Sequence, residues 1–302
     1  MAIMKKLSKK GRETVRAYTL MSIPLLWWGV FFIVPLIMAL VFSFSNLRIS
    51  IDEIDRFGFF QYEKVLKDEE FWQAFGNTLI WTFTMMLGNN LFGLLMAVLV
   101  SKLTKFKQLF IGLLFWPTLV SAVIGSTVTK QVLQPTEYGL LNMLIGIFGV
   151  EPIAWLEQES TALIALMITP FLFGFCVKML IYYNAILGIP KQYLEACELE
   201  TDSSWLKFKH ITFPLIRNAL VLNLLLSLID GLKVLGPMQL ITNGGPDGAT
   251  NSSVLYIYNL AFNGGTHMGR AAAAAFVLFA IILFVSLIQL LVTNRKEETT
   301  YE

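Results

Sequence analysis

Long apolar runs constrain this chain more than any other feature of its sequence. Six stretches carry few or no charged residues: 17–47, 71–101, 108–129, 160–190, 214–235 and 271–294. An α-helix needs about 20 consecutive apolar residues to cross the hydrocarbon core of a bilayer. The fourth stretch contains only Lys178, and the fifth contains Arg217, Asp230 and Lys233. The pattern therefore predicts an all-α membrane protein with six transmembrane helices.

The positions of the basic residues predict which side of the membrane each loop occupies. Six Lys or Arg residues precede Ala17, and three more lie in residues 191–209. Residues 131–159 and 236–269 contain neither Lys nor Arg. Loops rich in Lys and Arg stay in the cytoplasm. We therefore expect both termini and the loop at residues 189–214 to be cytoplasmic, in agreement with an even number of spans.

These boundaries divide the chain into three parts. Residues 1–17 form a basic cytoplasmic N-terminus, residues 18–293 form the six-helix domain, and residues 294–302 form a cytoplasmic tail. A cleaved signal peptide is the alternative interpretation of the first apolar stretch. That stretch is too long for a signal peptide and ends without a small-residue cleavage site, so a retained helix is favoured. Pro117 is expected to kink the third span.

Polar residues within the predicted spans are candidates for helix contacts or for a transport path. Asn89 and Asn90 are adjacent in the second span, which is predicted at residues 78–100. Amides in a span are costly unless they face another helix or water. Contacts between helices are favoured over contact with a substrate. An unpaired Lys178 would cost about 3 kcal/mol in its span. Asp230 is the natural partner of Lys178 or of Lys233, either as a structural ion pair or as part of an ion or substrate site.

The polar stretch at residues 189–214 predicts a helix, a corner and a second helix between the fourth and fifth spans. Pro190 fits the start of the first helix, and no helix breaker follows for ten residues. The sequence Thr-Asp-Ser-Ser then breaks the helix, because short polar side chains compete for backbone hydrogen bonds. Asp202 or Ser203 is expected to cap the second helix, which is predicted to end before Pro214.

This loop resembles the EAA loop of binding-protein-dependent ABC transporter permeases. The matching residues are Glu195, Ala196 and Cys197 in the first block of the family pattern, and Trp205, Phe208, Ile211, Thr212, Phe213 and Pro214 in the last. Thr201 stands at the family's glycine position, which leaves the corner geometry open, and Asp202 stands where alanine is common. The resemblance implies a coupling helix that docks on a cytoplasmic ATPase through Glu195, Ala196, Cys197, Thr201 and Asp202. An ordinary amphipathic connector is the alternative.

Two predicted external segments extend the resemblance to sugar-type permeases of the maltose and oligosaccharide uptake family. The first contains Gly139, Leu140, Asn142 and residues 153–156, and is expected to include a short amphipathic helix on the membrane face. The second runs through residues 239–262 and contains the turn sequence Asn-Gly-Gly-Pro. Together with the spans, the resemblance covers residues 78–293.

The resemblance also implies where a sugar would contact the chain, namely the fourth and fifth spans. Carried over by position, the candidate substrate-pathway residues are Gly174, Val177, Ser227, Asp230, Gly231 and Val234, to which the charge of Lys178 adds a further candidate. The aromatic and amide residues that the family places there are mostly missing. Either the ligand differs or a partner subunit supplies most contacts, and Lys178 leaves room for an anionic sugar.

The implied function is that of a permease subunit in an ATP-driven ABC importer for sugars, working by alternating access in a bacterial or archaeal cell membrane. Implied partners are a second permease, a cytoplasmic ATPase dimer that binds ATP and magnesium, an extracellular binding protein, the sugar and membrane lipid. No nucleic-acid partner is expected, and this chain should hold no cofactor.

Other classes of function find less support in the sequence. It contains no phosphate-binding loop, and no credible catalytic or metal-binding set, since His210 and His267 are predicted on opposite sides of the membrane. Cys176 and Cys197 are expected to be reduced. A secondary transporter or channel that uses Lys178 and Asp230 as an ion site remains the alternative, although such a protein has no need of a docking loop.

Overall fold

A computed structural model describes residues 9–48, 54–263 and 267–298, and their regular structure is helical apart from one bridge between Ser45 and Phe57. The helices are α1 (Lys9–Trp28), α2 (Val34–Ser43), α3 (Phe60–Leu66), α4 (Glu69–Ser101), α5 (Lys107–Phe115), α6 (Ala122–Val132), α7 (Leu140–Gly146), α8 (Glu159–Leu187), α9 (Lys191–Glu200), α10 (Ser204–Lys207), α11 (Phe213–Leu215), α12 (Arg217–Leu232), α13 (Ser253–Phe262) and α14 (Met268–Glu298). Within these described residues, four helical segments are long and apolar enough to span a bilayer. The number rises to six if each of two bent helix pairs forms one span. The predicted all-α membrane fold is therefore confirmed.

The first span, Ala17–Ser43, is α1 and α2 joined by a π-helical turn at Gly29–Ile33. This turn immediately precedes the first turn of α2, which contains Pro35. Proline has no N–H and leaves a preceding carbonyl without its donor, and a wider turn accommodates that loss. None of the side chains from residue 18 to residue 41 is buried. In a bilayer this apolar surface would face lipid.

The chain divides into two compact units, the first made of residues 1–67 and 260–277. In its described part, the small Gly269 at the start of α14 lies close to the backbone that follows α2. The Gly269 N–H donates to the Leu47 carbonyl at 2.9 Å, and a Cβ atom at Gly269 would collide with the Ser45 carbonyl. The small residue at this position thus permits close approach of the two backbone segments.

The second unit, residues 68–259 and 278–302, contains the central helix α4 against which α8 and α12 pack. We predicted the second span at residues 78–100, but α4 begins at Glu69, because Asp68 caps it by accepting a hydrogen bond from the Glu70 N–H. The buried side chains form two clusters along the helices. One includes Trp81, Leu166 and Met238, and the other includes Met179, Tyr182 and Ile216.

The third and fifth spans are bent pairs. Lys107–Leu119 and Ala122–Val132 meet at 91°, directly after a 3₁₀ turn, Trp116–Leu119, that contains Pro117. The predicted kink at Pro117 is confirmed. Ser204–Leu215 and Arg217–Leu232 meet at 68°.

The prediction that the second loop helix ends before Pro214 is wrong. Helical backbone continues through Pro214 to Leu215, because a π-helical turn at Phe208–Thr212 widens the helix just before the proline. The helix ends instead at the bend before α12. The loop is therefore joined to the fifth span by nearly continuous helix.

The segment between α6 and α8 is organised around the side chain of Asn142, which is 3% exposed. Its amide nitrogen lies 3.0–3.2 Å from the carbonyls of Gln134, Thr136 and Ile153. Its amide oxygen accepts from the Ile153 N–H at 3.1 Å and from the Trp155 indole at 2.8 Å. One side chain thus ties both ends of the segment to α7. The expected short helix is α7.

Replacement of Asn142 by Ala should loosen this segment. Several buried polar groups would lose their partner at once, which should destabilise the protein by about 2–4 kcal/mol. The measurement is thermal unfolding of the detergent-purified protein, together with the rate of proteolysis within residues 133–158. Asn218→Ala, at an exposed amide, is the control and should change neither value. Unchanged proteolysis in Asn142→Ala would contradict this account.

Candidate functional site

Helix α9 carries the first block of the loop motif and follows Pro190 directly, as predicted. The side chains of Glu195 and Ala196 are exposed, whereas Cys197 is buried. Cys197 therefore faces the protein, while the carboxylate of Glu195 faces outward. This arrangement leaves Glu195 available to a partner.

The corner after α9 does not need a glycine. Thr201 has φ −156° and ψ 139°, an extended conformation that any residue adopts. Its hydroxyl oxygen accepts from the Ser203 N–H at 3.1 Å. Ser203 in turn caps α10 by accepting from the Leu206 N–H at 3.4 Å, which selects Ser203 from the two predicted capping residues. Thr201 at the family's glycine position is thus compatible with the turn, and Asp202 is exposed within it.

The outer surface of the loop is apolar at three positions where a water-exposed surface would usually be polar. Leu199 is 92% exposed, Trp205 67% and Tyr193 52%. A cavity of about 440 Å³ lies between α9 and the following helix, lined by Tyr193, Ala196, Cys197, Glu200, Thr201, Leu206, His210 and Ile211. Exposed apolar side chains beside a concavity are typical of a protein-binding surface. The geometry fits docking of another protein.

A second cavity, of about 410 Å³, lies among α6, α8 and the C-terminal end of α12. Its lining includes four of the seven predicted pathway residues, Gly174, Val177, Lys178 and Asp230. Ligand pockets in proteins commonly have volumes of about 300–1,000 Å³. The cavity is therefore large enough to hold a small organic ligand or part of a larger one.

Lys178 and Asp230 form an ion pair at this cavity. The Lys178 Nζ atom lies 3.6 Å from Asp230 Oδ2, which identifies Lys178 rather than Lys233 as the partner of Asp230. The lysine side chain is 10% exposed and the aspartate side chain 75%. A buried ammonium without a partner would be costly, so the pair stabilises Lys178 in its span.

Ser227, Gly231 and Val234 do not line this cavity. The Ser227 hydroxyl lies 2.9 Å from the amide nitrogen of Asn90, and a Cβ atom at Gly231 would collide with Thr82. Val234 is part of a buried cluster with Trp81 and Met238. These three residues of the α12 region pack against α4, one layer behind the cavity wall.

Asn90 connects three helices through its side chain. Its amide oxygen accepts from the Tyr182 hydroxyl of α8 at 2.7 Å, and its amide nitrogen donates to Ser227 of α12. The interpretation of Asn90 as a helix-to-helix contact is confirmed. Asn89 points toward Gly174, where a Cβ atom would clash with the Asn89 amide, and its oxygen is buried with no hydrogen-bond partner in the described structure. Glycine at position 174 thus makes room for this amide.

One wall of the cavity was not predicted from the sequence. Ser121, Gly125, Ser126 and Thr129 line it from α6 and its N-cap. Their spacing places them on one face of a helix, and small or hydroxyl-bearing residues at this spacing were the available signal. That signal is weak in a span, because Ser and Thr also satisfy their own helix backbone there.

Comparison with known proteins assigns the class. The chain belongs to the family described as "Binding-protein-dependent transport system inner membrane component", which matches residues 89–298. The predicted membership of the binding-protein-dependent permease family is thereby confirmed. The chain is a multi-pass membrane protein, and the similar proteins are transport permease subunits.

Three relatives match over most of their length. An arabinooligosaccharide transport permease of Bacillus subtilis is 30% identical over 86% of this chain and 83% of its own length. A trehalose/maltose transport permease of Thermococcus litoralis is 30% identical over 96% of this chain and 97% of its own length. A multiple sugar-binding transport permease of Streptococcus mutans is 27% identical over 93% of this chain and 96% of its own length.

Two solved structures share the fold. A bacterial alginate ABC transporter, crystallised with its alginate-pentasaccharide-bound periplasmic protein, contains a chain with a TM-score of 0.82 and 19% identity, covering 94% of this chain and 96% of that one. A second structure, of a bacterial ABC transporter that imports the acidic polysaccharide alginate, gives a TM-score of 0.81 at 18% identity. The match covers 95% of this chain and 99% of that one. At this identity the likeness shows the fold alone.

Replacement of Asn90 by Leu should weaken the packing of α4, α8 and α12. The Tyr182 hydroxyl and the Ser227 hydroxyl are buried, and each would lose a hydrogen-bond partner. The expected cost is about 1–3 kcal/mol in the free energy of unfolding. The measurement is thermal unfolding of the purified protein. Tyr182→Phe removes only one of these bonds and should cost less. Full stability in Asn90→Leu, with transport lost, would contradict a structural role.

Proposed function

We propose that this chain is the membrane-spanning permease subunit of an ATP-driven importer for sugars or oligosaccharides. The observation that carries the proposal is the coupling loop, in which α9 exposes most of its side chains to solvent. A capped corner and nearly continuous helix join α9 to the fifth span. Family membership and the sugar-permease relatives support it. A rigid connection of this kind suits transmission of movement rather than its absorption.

The complete importer would contain several further proteins. A second permease would complete the membrane channel, two ATPase subunits would bind ATP and magnesium in the cytoplasm, and an extracellular binding protein would deliver the sugar. The distribution of Lys and Arg supports cytoplasmic positions for both termini and for the coupling loop. The membrane would be that of a bacterial or archaeal cell.

In this proposal, transport follows from movement of the coupling loop. Closure of the ATPase dimer would displace α9 through Glu195, Ala196, Cys197, Thr201 and Asp202, the coupling residues implied by the motif. The spans would then change from inward-facing to outward-facing. The sugar would pass the cavity lined by Gly174, Val177, Lys178 and Asp230, while Ser227, Gly231 and Val234 would shape that path from behind.

Glu195→Ala in the reconstituted complex tests the coupling role. We expect uptake and substrate-stimulated ATP hydrolysis to fall together by about tenfold, equivalent to about 1.4 kcal/mol in the free energy of activation. The measurements are uptake into proteoliposomes, stimulated hydrolysis and co-purification of the ATPase. Glu137→Ala, at an exposed carboxylate of the external segment, is the matched control and should retain all three.

The same experiment separates the importer from a secondary transporter. The Lys178–Asp230 pair is the observation that favours the second candidate, since buried charges mark ion pathways in membrane proteins. Uptake that persists when the ATPase is absent would reject the importer. In that case an ion-gradient requirement should appear in the uptake assay and disappear in Lys178→Met.

A further inference from the structure

The charges at the cavity of α6, α8 and α12 cancel. Of the lining side chains in the part of the chain that the structure describes, Lys178 and Asp230 are the charged ones. Their Nζ and Oδ2 atoms are 3.6 Å apart, so each neutralises the field of the other at distances longer than the pair itself. A ligand in the cavity would therefore meet a pair of charges with no net excess of either sign.

The two charges are not equally accessible. The Asp230 side chain is 75% exposed, whereas the Lys178 side chain is 10% exposed. A ligand that enters the cavity meets the carboxylate more readily than the ammonium. An anionic ligand would thus be repelled by Asp230 before it reached Lys178, and it would have to displace Asp230 to form an ion pair.

The hydroxyl groups of α6 also favour one type of ligand. Ser126 donates its proton to the Ala122 carbonyl at 2.7 Å, and Thr129 donates to the Gly125 carbonyl at 2.8 Å. Ser126 is 8% exposed and Thr129 1% exposed, so the free lone pair of Ser126 is the one that a ligand at the cavity wall can reach. Together with the Asp230 carboxylate, the Ser126 oxygen gives the cavity acceptors that match O–H donors. A sugar hydroxyl can donate to such a wall, whereas an ionised carboxylate can only accept.

We propose that this cavity selects uncharged oligosaccharides over uronate-containing ones, and that Asp230 is a specificity-determining residue that screens Lys178 from anions. The proposal rests on the importer function proposed above and names the charge class of its substrate. It depends on the position of the ion pair and on the acceptor wall of α6.

The test measures the electrostatic field in the cavity with a reporter thiol. Val120 lines the cavity and is 39% exposed, so Val120→Cys is introduced with Cys176→Ala and Cys197→Ala in the assembled complex. Methanethiosulfonate reagents with a sulfonate or a trimethylammonium group are the anionic and cationic probes. Mass spectrometry of this chain follows their rates of reaction.

Removal of each charge should shift the rates in opposite directions. Asp230→Asn should raise the ratio of anionic to cationic reaction rates by roughly three- to tenfold, the effect expected for one uncompensated charge. Lys178→Met should lower it by a similar factor. The double variant removes both charges and should return the ratio to that of the parent. Lys191→Met, at an exposed lysine beyond the end of α8 that does not line the cavity, is the control and should leave the ratio unchanged.

Protection by sugars tests the selectivity itself. Maltotriose and trigalacturonate, at equal concentration, are compared for their ability to slow the reaction of the reporter thiol with uncharged methyl methanethiosulfonate. Maltotriose should protect better in the parent, and Asp230→Asn should reduce or reverse the difference. Equal protection by the two sugars, or an unchanged rate ratio in Asp230→Asn, would overturn the proposal. None of these readouts requires ATP hydrolysis, so failure of the importer function is detected separately by uptake without the ATPase.

Discussion

The absence of water within the bilayer is the constraint on which the rest of this structure depends. An unsatisfied polar group there costs several kcal/mol, so each polar side chain in a span needs a partner on another helix or on its own. Asn90 meets this requirement by joining Tyr182 and Ser227, and the amide nitrogen of Asn223 does so by donating to the Lys178 carbonyl at 3.2 Å. The buried amide oxygens of Asn89 and Asn223 are exceptions, with no hydrogen-bond partner in the described structure. The hydrogen bonds that are formed also fix α8 and α12 against α4. The same contacts set the position of the cavity wall.

The fold was largely predictable because the length and charge of apolar runs are direct consequences of that constraint. Helix boundaries were less predictable, as α4 shows by beginning at Glu69 rather than residue 78. Outside the bilayer, water and a capping side chain such as Asp68 stabilise further turns, and hydropathy does not report them. Pro117 predicted a kink, but the angle of 91° depends on what α6 packs against. A local sequence signal indicates where a helix bends and leaves the direction to tertiary contacts.

The residues of the cavity were predictable from the sequence only where one side chain needs another to offset the cost of its burial. A charge as costly as Lys178 implied a partner, and Asp230 is that partner. Ser227 was placed on the pathway by its position in the family resemblance, which does not indicate the neighbour that its helix face meets in this chain. In the structure that face meets α4 rather than the cavity. The hydroxyl wall of α6 gave no such requirement, because Ser126 and Thr129 satisfy their own donors within the helix.

The bend before α12 determines how movement of the coupling loop reaches the cavity. The Glu198–Lys207 ion pair between α9 and α10 is 3.3 Å long with Glu198 well exposed, so it contributes little stiffness by itself. Ile216, at the bend, is 1% exposed and belongs to the buried cluster that contains Tyr182. A residue enclosed in this way cannot act as a free hinge, because rotation there would open a void in the core. Displacement of the loop should therefore turn α12 with it and move Asp230, which lies about 21 Å further along the helix.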